Sequence, residues 1–465
     1  MNINELLSEI VSLVWGTPLL IFLLVANLIL LFFSKLIPIR GLGHAISLVS
    51  GKHSTGEAEG QITHFQALSN ALAATIGLGN IAGVAVAIYQ GGPGAVFWMW
   101  VSALLGMNTK FFECTLSVMF RGKDYQGEVQ GGPMYYIVHG LSKKWHILAY
   151  AFAFFLFIAA LGIGNMVQSN SIADVMESTF HVQPWITGIA VALFAGLVVL
   201  GGIKRIADVA SKIVPSMIVI YVTAGITILV MNADMIDDVF ALIFNDAFDS
   251  IDALLGGVIG DVVSKGVGRG VFSNESGLGS APIVAAAAKT DHPVSQALVS
   301  MTQTFIDTII VCTFTGLIIV MSGEAANVDV GGAALTGSAF SAGFNHAMFM
   351  GYEIGELIIS ITLMFFVFST IIGWYYYGEK GFAFLFKDEK IVYYKVLFLA
   401  ISFFGAIITV ELAWTLAEVF TALMILPNVV ALIMLNGKVR QLTKDYFKNH
   451  LSGGKYEVKP FHNES

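Results

Sequence analysis

Long apolar runs separated by short polar intervals repeat along the whole chain. An α-helix needs about 20 mostly apolar residues to cross a bilayer. Eleven runs meet that need, near 13–34, 63–89, 94–120, 146–169, 183–202, 210–230, 256–288, 295–321, 354–379, 391–410 and 413–435. Several exceed it, which predicts tilted, kinked or broken helices. The interval 35–62 is amphipathic and contains Gly and Ser, so it is placed along the interface before the second span. The interval 234–253 holds VFALIFNDAF between acidic residues and reads as a short external helix. The end of the chain, 436–465, is polar and reads as a fraying cytosolic tail.

Two interruptions of this pattern look alike. Residues 77–88 read GLGNIAGVAVAI, and residues 277–288 read GLGSAPIVAAAA. Each sets a pair of glycines into an apolar run, followed by small residues. Apolar helices broken at matching places in two halves of a chain point to a transporter with inverted repeats and a midplane site.

Composition makes the chain a polytopic membrane protein. Of its 465 residues, 56% are apolar and 12% charged, and mean hydropathy is +0.78. A soluble domain carries about 25% charged residues. The net charge of −8 matters less than where the charges lie. The intervals 35–62, 121–145, 203–209, 380–390 and 436–465 contain Lys35, Arg40, Lys52, Arg121, Lys123, Lys143, Lys144, Lys204, Arg205, Lys380, Lys387, Lys390 and Lys438. The intervals 1–12, 170–182, 231–255 and 322–353 contain no Lys or Arg. With eleven spans this asymmetry puts the N-terminus outside and the C-terminus in the cytosol. Lys265 and Arg269 are exceptions to it. Cys114 and Cys312 both lie in apolar runs, which argues against a disulfide framework. The first run lacks a basic leader and reads as a retained helix rather than a cleaved signal.

The first break lies in THFQALSNALAATIGLGNIAGVAVAIY, 63–89. Broken backbone in hydrocarbon costs several kcal/mol unless something polar meets it. Gly77 and Gly79 permit φ values that other residues avoid, and leave a ligand room at the main chain. The N–H groups from Leu78 to Asn80 suit an anion such as a carboxylate. The carbonyls around Ala73 and Ile76 suit a cation. A small-residue packing seam would use the same glycines. The second break, RGVFSNESGLGSAPI at 269–283, sets Asn274 and Glu275 among small residues. Ionisable groups in a membrane protein are costly and default to functional candidates. Asn274 is read as a ligand or near-ligand, and Phe272 either as a pocket wall or as packing within its span. Glu275 is read more readily as a structural partner of Arg269 or Lys110.

A third element is FFVFSTIIGWYYYG, 365–378. Ser369 and Thr370 either bond back to their own helix or give two oxygens to one ion. Oxygen-only ligation suits Na+. Trp374, about one turn on, reads as a wall above a small substrate or as an interfacial anchor. Gln168, at the expected outer end of its span, reads as a contact for a substrate or a gate, or as a side chain that simply lies near the headgroups. No P-loop or dinucleotide fingerprint appears, so ATP-driven transport and redox catalysis have no basis. The histidines form no ligand motif, and the basic patches follow the topology rule without any need for nucleic acid. A concentrative carrier of this composition draws on an ion gradient.

These stretches, with GGPGAVFWMW, KFFECTLSVMFRG, QGGPMYYI and ILPNVVALIMLNGKV, resemble the alanine or glycine:cation symporter family over about 60–435. The family comprises sodium/alanine symporters within the amino acid–polyamine–cation superfamily. The resemblance implies an all-α, eleven-helix membrane protein with a five-plus-five inverted repeat and one extra N-terminal helix. The divisions are then 1–62, a first repeat 63–230, a linker 231–255, a second repeat 256–435 and a tail 436–465. It implies that the main chain of Gly77, Leu78 and Gly79 holds the substrate carboxylate. Asn274 and Gln168 would be polar substrate contacts, with Phe272 and Trp374 closing a pocket for small side chains. The carbonyls of Ala73, Ile76 and Phe366, with Ser369 and Thr370, would hold Na+. The family often has Thr where this chain has Leu78, so a hydroxyl contact there is lost. The expected activity is sodium-coupled uptake of L-alanine or glycine, with D-alanine as a further substrate, in a cell membrane and without an obligate protein partner. A proton-coupled carrier of another small amino acid, or an amino-acid sensor that does not transport, is the alternative.

Overall fold

The computed structural model describes residues 10–11, 14–51, 58–124, 127–255, 260–326, 332–408, 411–449 and 451, with backbone alone at 250–255 and 411–413. The expected span limits at 13, 256 and 410, together with Lys52 and the tail beyond 451, lie outside these residues.

Helices follow the apolar runs. The first are α1 (Thr17–Ser34), α2 (Leu42–Val49) and α3 (His64–Thr75). Next come α4 (Gly79–Gly91), α5 (Ala95–Met119), α6 (Pro133–Gly140) and α7 (Lys143–Phe180). The middle of the chain forms α8 (Pro184–Val199), α9 (Gly202–Met231), α10 (Ile236–Leu255), α11 (Asp261–Asn274) and α12 (Ala281–Ala286). Last come α13 (Pro293–Ser322), α14 (Gly332–Gly343), α15 (Ile354–Phe386), α16 (Ile391–Gly405) and α17 (Glu411–Lys448). Two short antiparallel hairpins, at 122–130 and 348–353, decorate the loops.

By length and composition, six helices among the described residues are able to cross a membrane, and the bent pair α3–α4 makes a seventh. The other expected crossings read as weaker for physical reasons. The helix α5 is 25 residues long but carries Asn108, Lys110 and Glu113, all buried within the bundle. Its polar groups face protein, so its mean hydropathy understates its burial. The helices α8 and α16 are 16 and 15 residues long, and α11–α12 is interrupted. On α8, Ile189, Leu193 and Leu197 form an exposed apolar stripe at four-residue spacing, the face a lipid-contacting helix presents.

Three expectations need correction. The span expected to end at 169 continues as helix to Phe180, with a wide π turn at Gly162–Met166. Gln168 therefore stands inside a long helix, not at its outer end. The interval 322–353 holds α14, whose composition of small residues gives no apolar period. The polar end is helical to Lys448, because Val439, Leu442 and Tyr446 make a buried face at helical spacing. Tyr446 bonds His44 of α2 at 2.7 Å.

The two broken helices divide between two groups of helices. Against α5 lie α11, α12 and α13, and against α15 lie α3, α7, α9 and α14. Residues of both interruptions border one cavity, described below.

Candidate binding site at the helix breaks

Thr63 and Gln66 start α3 with a capping box, in bonds of 3.2 and 3.0 Å. The helix stops at Thr75, and Ile76 leaves it at φ −73°, ψ 98°. The α4 axis then departs at 57° from that of α3. The turn is held by Asn80, whose Oδ1 accepts from Gly77 N at 3.0 Å.

The glycines of this turn work differently from expectation. Neither Gly77 nor Gly79 adopts a positive φ. They are needed because other chains come close. A Cβ on Gly77 would lie 2.6 Å from Thr370 Oγ1, and one on Gly79 would lie 3.0 Å from Ser273 Cα. At the second break the backbone itself requires glycine. Gly277 and Gly279 have φ of +89° and +81°, beside Glu275 at +56°.

Polar groups meet the released backbone at the second break. Lys110 Nζ donates to the Glu275 carbonyl at 3.1 Å, and Asn428 Nδ2 to the Gly277 carbonyl at 2.8 Å. Lys110 also lies 3.6 Å from Glu113. The Glu275 carboxylate accepts from Trp374 Nε1 at 3.0 Å and from Ser280 Oγ. Arg269 instead meets Glu418 at 3.6 Å. Of the two partners considered for Glu275, Lys110 reaches its main chain and Arg269 pairs elsewhere.

One cavity joins most of the candidate substrate residues. Gly77, Leu78, Gly79, Gln168, Phe272 and Trp374 line it with Thr370 and Glu275. Its volume is about 40 Å³, measured at the centre of a water-sized sphere. A water needs roughly 10–15 Å³ on that measure, so there is room for about three. Gln168 donates from Nε2 to the Ile163 carbonyl at 2.9 Å, and its buried Oε1 has no hydrogen-bond partner among the described residues. Asn274 does not line the cavity. Its amide is turned inward, donating to Thr308 Oγ1 at 3.2 Å and accepting from Ser276 N at 3.0 Å. Trp414 and Thr421 of α17 also line the cavity. Nothing near them in sequence marks these two, since their partners are brought by the fold.

The hydroxyl pair faces the first break. Ser369 Oγ lies 3.2 Å from the Ala73 carbonyl and 2.8 Å from the Phe366 carbonyl. Thr370 Oγ1 lies 3.0 Å from the same Phe366 carbonyl. Ala73, Phe366, Ser369 and Thr370 thus gather oxygens from α3 and α15. Ile76 joins them only in having turned its carbonyl off the helical ladder.

Beyond the first break lies a buried carboxylate network. Asp307 accepts from Asn80 Nδ2 at 2.9 Å, Ser273 Oγ at 2.9 Å and Thr308 Oγ1 at 2.8 Å. Asn80 therefore ties the turn at Gly77 to α13. The wide turns are also met by side chains. Gln168 covers Ile163 in the turn Gly162–Met166, and Thr336 covers Ile81 at 3.0 Å in the turn Gly79–Gly83. Asn80 covers the Asp307 carbonyl at 3.1 Å in the turn Phe305–Cys312.

The two sides of the cavity differ. Leu78 and Trp414 also line a vestibule of about 680 Å³ with Asp174, Glu353 and Glu356, near the Lys-free loops. Toward the basic loops, hydrogen bonds tie the segments together. Arg121 donates to the carbonyls of Ala286, Ala288, Glu59 and Thr290 at 3.1, 2.8, 2.9 and 3.3 Å. Backbone bonds Gln61 N to Ala287 O and Lys289 N to Ile62 O, both 2.7 Å, join the same segments. Burial lowers the pKa of Arg121, yet Glu59 opposes this and a guanidinium keeps its charge.

The sodium:alanine symporter family profile matches residues 1–460. The chain belongs to that family. It is 47% identical over 454 residues to the sodium/alanine symporter AgcS of Methanococcus maripaludis, covering 96% of this chain and 98% of that one. It is 34% identical over 397 residues to the amino-acid carrier protein AlsT of Bacillus subtilis, covering 84% and 82%. The structure of MhsT in complex with L-phenylalanine matches 84% of this chain and 90% of that one, with a TM-score of 0.56. At 14% identity this likeness speaks for the fold alone. As a sodium:alanine symporter family member, the chain is a multi-pass, cation-coupled amino-acid symporter and not an enzyme. The oxygens gathered at Ala73, Phe366, Ser369 and Thr370 have the hard character that an alkali cation requires.

Proposed function

We propose that this symporter couples Na+ to uptake of a small neutral amino acid, L-alanine or glycine, by alternating access, with D-alanine as a further candidate. The observation that carries the reading is the Ser369 hydroxyl beside the Ala73 carbonyl, at the mouth of a break that also borders the cavity. Na+ at these oxygens and at the Ile76 carbonyl draws α3 toward α15. The carboxylate of the substrate then takes the main-chain N–H groups between Gly77 and Gly79, favoured by the start of α4. The free Oε1 of Gln168 suits the substrate's ammonium group. Phe272 and Trp374 limit the side chain. Ion and substrate share the cost of ordering one turn, so each favours the other. The vestibule beside Leu78 and the bonds of Arg121 support a carrier open to one side. Rocking of one helix group on the other would exchange them.

Eleven crossings, the five-plus-five repeat and an outer N-terminus belong to the same proposal. The similar breaks and the Lys and Arg asymmetry support them. A second reading rests on the carboxylates. Glu113, Glu275 and Asp307 are all buried, and Lys110 is the cation among them. Protons are then the alternative coupling ion.

Uptake into vesicles reconstituted with the full chain tests the proposal. A Na+ gradient is expected to drive alanine or glycine above equilibrium. Accumulation with a pH gradient alone would establish the second reading instead. Binding with no accumulation under either gradient would make the chain a sensor.

A further inference from the structure

Between the end of α1 and the end of α17 lies a groove of about 840 Å³, by the same measure as the cavity. Lys35 and Arg40 enter it from the turn after α1. Arg440 and Lys444 enter it from α17, four residues apart and so on one helical face. All four are exposed, and none makes an ion pair among the described residues. No Asp or Glu is among the described residues that line the groove. With Lys448, five basic residues line one hollow; like charges so placed repel one another, and an anion relieves that repulsion.

Part of the wall is apolar. Phe33 and Phe447 line the groove, and the Arg440 guanidinium lies 5.0 Å from the centre of the Phe33 ring. Outside it, Phe32 and Ile39 are 81% and 70% exposed. Such side chains at a membrane-spanning helix end need hydrocarbon beside them. The cationic hollow is therefore continuous with a lipid-facing surface.

We propose that this groove binds the headgroup of an anionic phospholipid, with its phosphate on Arg40, Arg440 and Lys444 and an acyl chain along Phe32 and Ile39. Arginine forks match phosphate oxygens in pairs, and basic pockets at helix ends on the cytoplasmic side suit anionic headgroups. The cytoplasmic leaflet follows from the orientation proposed above. The binding test below does not depend on that orientation or on transport.

The full chain is held in mixed micelles of neutral detergent and phosphatidylcholine and titrated with phosphatidylglycerol, reading its unfolding temperature. Phosphatidylglycerol is expected to raise that temperature with saturation. Each basic side chain near an anionic surface contributes about 1 kcal/mol. Arg440→Gln or Lys444→Gln is thus expected to raise the half-saturating lipid fraction about fivefold, and the double variant about 25-fold. The charge-keeping Arg440→Lys with Lys444→Arg should retain the response. So should Lys143→Gln with Lys144→Gln, a basic pair at the start of α7 outside the groove. No response in the parent chain would overturn the proposal. So would an equal loss in the Lys143 and Lys144 variant, which would reduce the effect to general surface charge. Inorganic phosphate alone reproducing the shift would also overturn it, because the acyl chain would then have no part.

Discussion

Gly77→Ala is the sharpest test of how the first break works. The added methyl would stand 2.6 Å from Thr370 Oγ1 and 3.9 Å from Gln168 Oε1. Carbon and oxygen in ordinary contact keep about 3.4 Å, so roughly 0.8 Å must be found. Thr370 cannot simply swing away. Its χ1 is stiff, and its hydroxyl is held to the Phe366 carbonyl at 3.0 Å. Overpacking of this kind costs about 1–3 kcal/mol. At 1.4 kcal/mol per factor of ten, that is roughly a 5- to 150-fold loss. The loss should fall on the half-saturating Na+ concentration, because α15 is pushed from α3 at the oxygens proposed for the ion. Initial rates of alanine uptake in vesicles against Na+ concentration measure it, with size-exclusion profiles checking the fold. Adding Thr370→Ser should restore much of the loss, since serine keeps the oxygen and turns more freely. A well-folded Gly77→Ala with parental Na+ dependence would refute the close approach of Thr370. It would return Gly77 to the role of a plain helix breaker.

Ser369→Ala removes a hydroxyl that touches two carbonyls, Ala73 and Phe366. A hydrogen bond to a charged group contributes about 1.5–3 kcal/mol, so half-saturating Na+ should rise at least tenfold, and unchanged Na+ activation would remove Ser369 from the ion site. Trp374→Ala deletes a ring on the cavity wall and its bond to Glu275. Alanine uptake should weaken while leucine or methionine begins to compete, and an unchanged competition profile in a folded variant would clear Trp374 of any part in selectivity. Arg121→Gln cuts a clamp on four carbonyls. The chain should then open more often toward the basic loops, read as at least tenfold faster labelling of Ala288→Cys by a soluble thiol reagent added from that side; equal labelling would mean that the backbone bridge alone holds the closure.

The sequence carried the places of the breaks better than their causes. GLGN and NESGLG stand out locally, because glycine and amide residues interrupt apolar runs. What each glycine does depends on a second chain. Thr370 and Ser273 make Gly77 and Gly79 necessary, and neither is near them in sequence. Asn274 reads as a ligand because it is polar and near the break, whereas the bonds of its amide to Thr308 and Ser276 depend on distant or folded partners that local pattern does not show. The bond from Asn80 to Asp307 spans 227 positions, a pairing that local pattern cannot encode. Gln168 was misplaced for another reason. A span was ended where polar residues begin, although a helix buried against protein carries polar residues without ending. The same reasoning hid the helix beyond residue 436, where three buried residues suffice for one face.

The wide turns in α4, α7 and α13 have a consequence for how this protein can change. Each π turn holds one residue more than a regular α-turn would. Sequence spacing across it is therefore out of step by about 100° with spacing on either side. Deleting one residue from Gly162–Met166 would restore an ordinary helix and free Gln168 from the Ile163 carbonyl. Such a deletion would turn the buried side chains beyond the turn, Val167 and Ser169 among them, by about 100° and so break both their packing and the alignment of Gln168 with Gly77. The surplus residue is thus a fixed part of the cavity wall, which no regular helix of this sequence could supply.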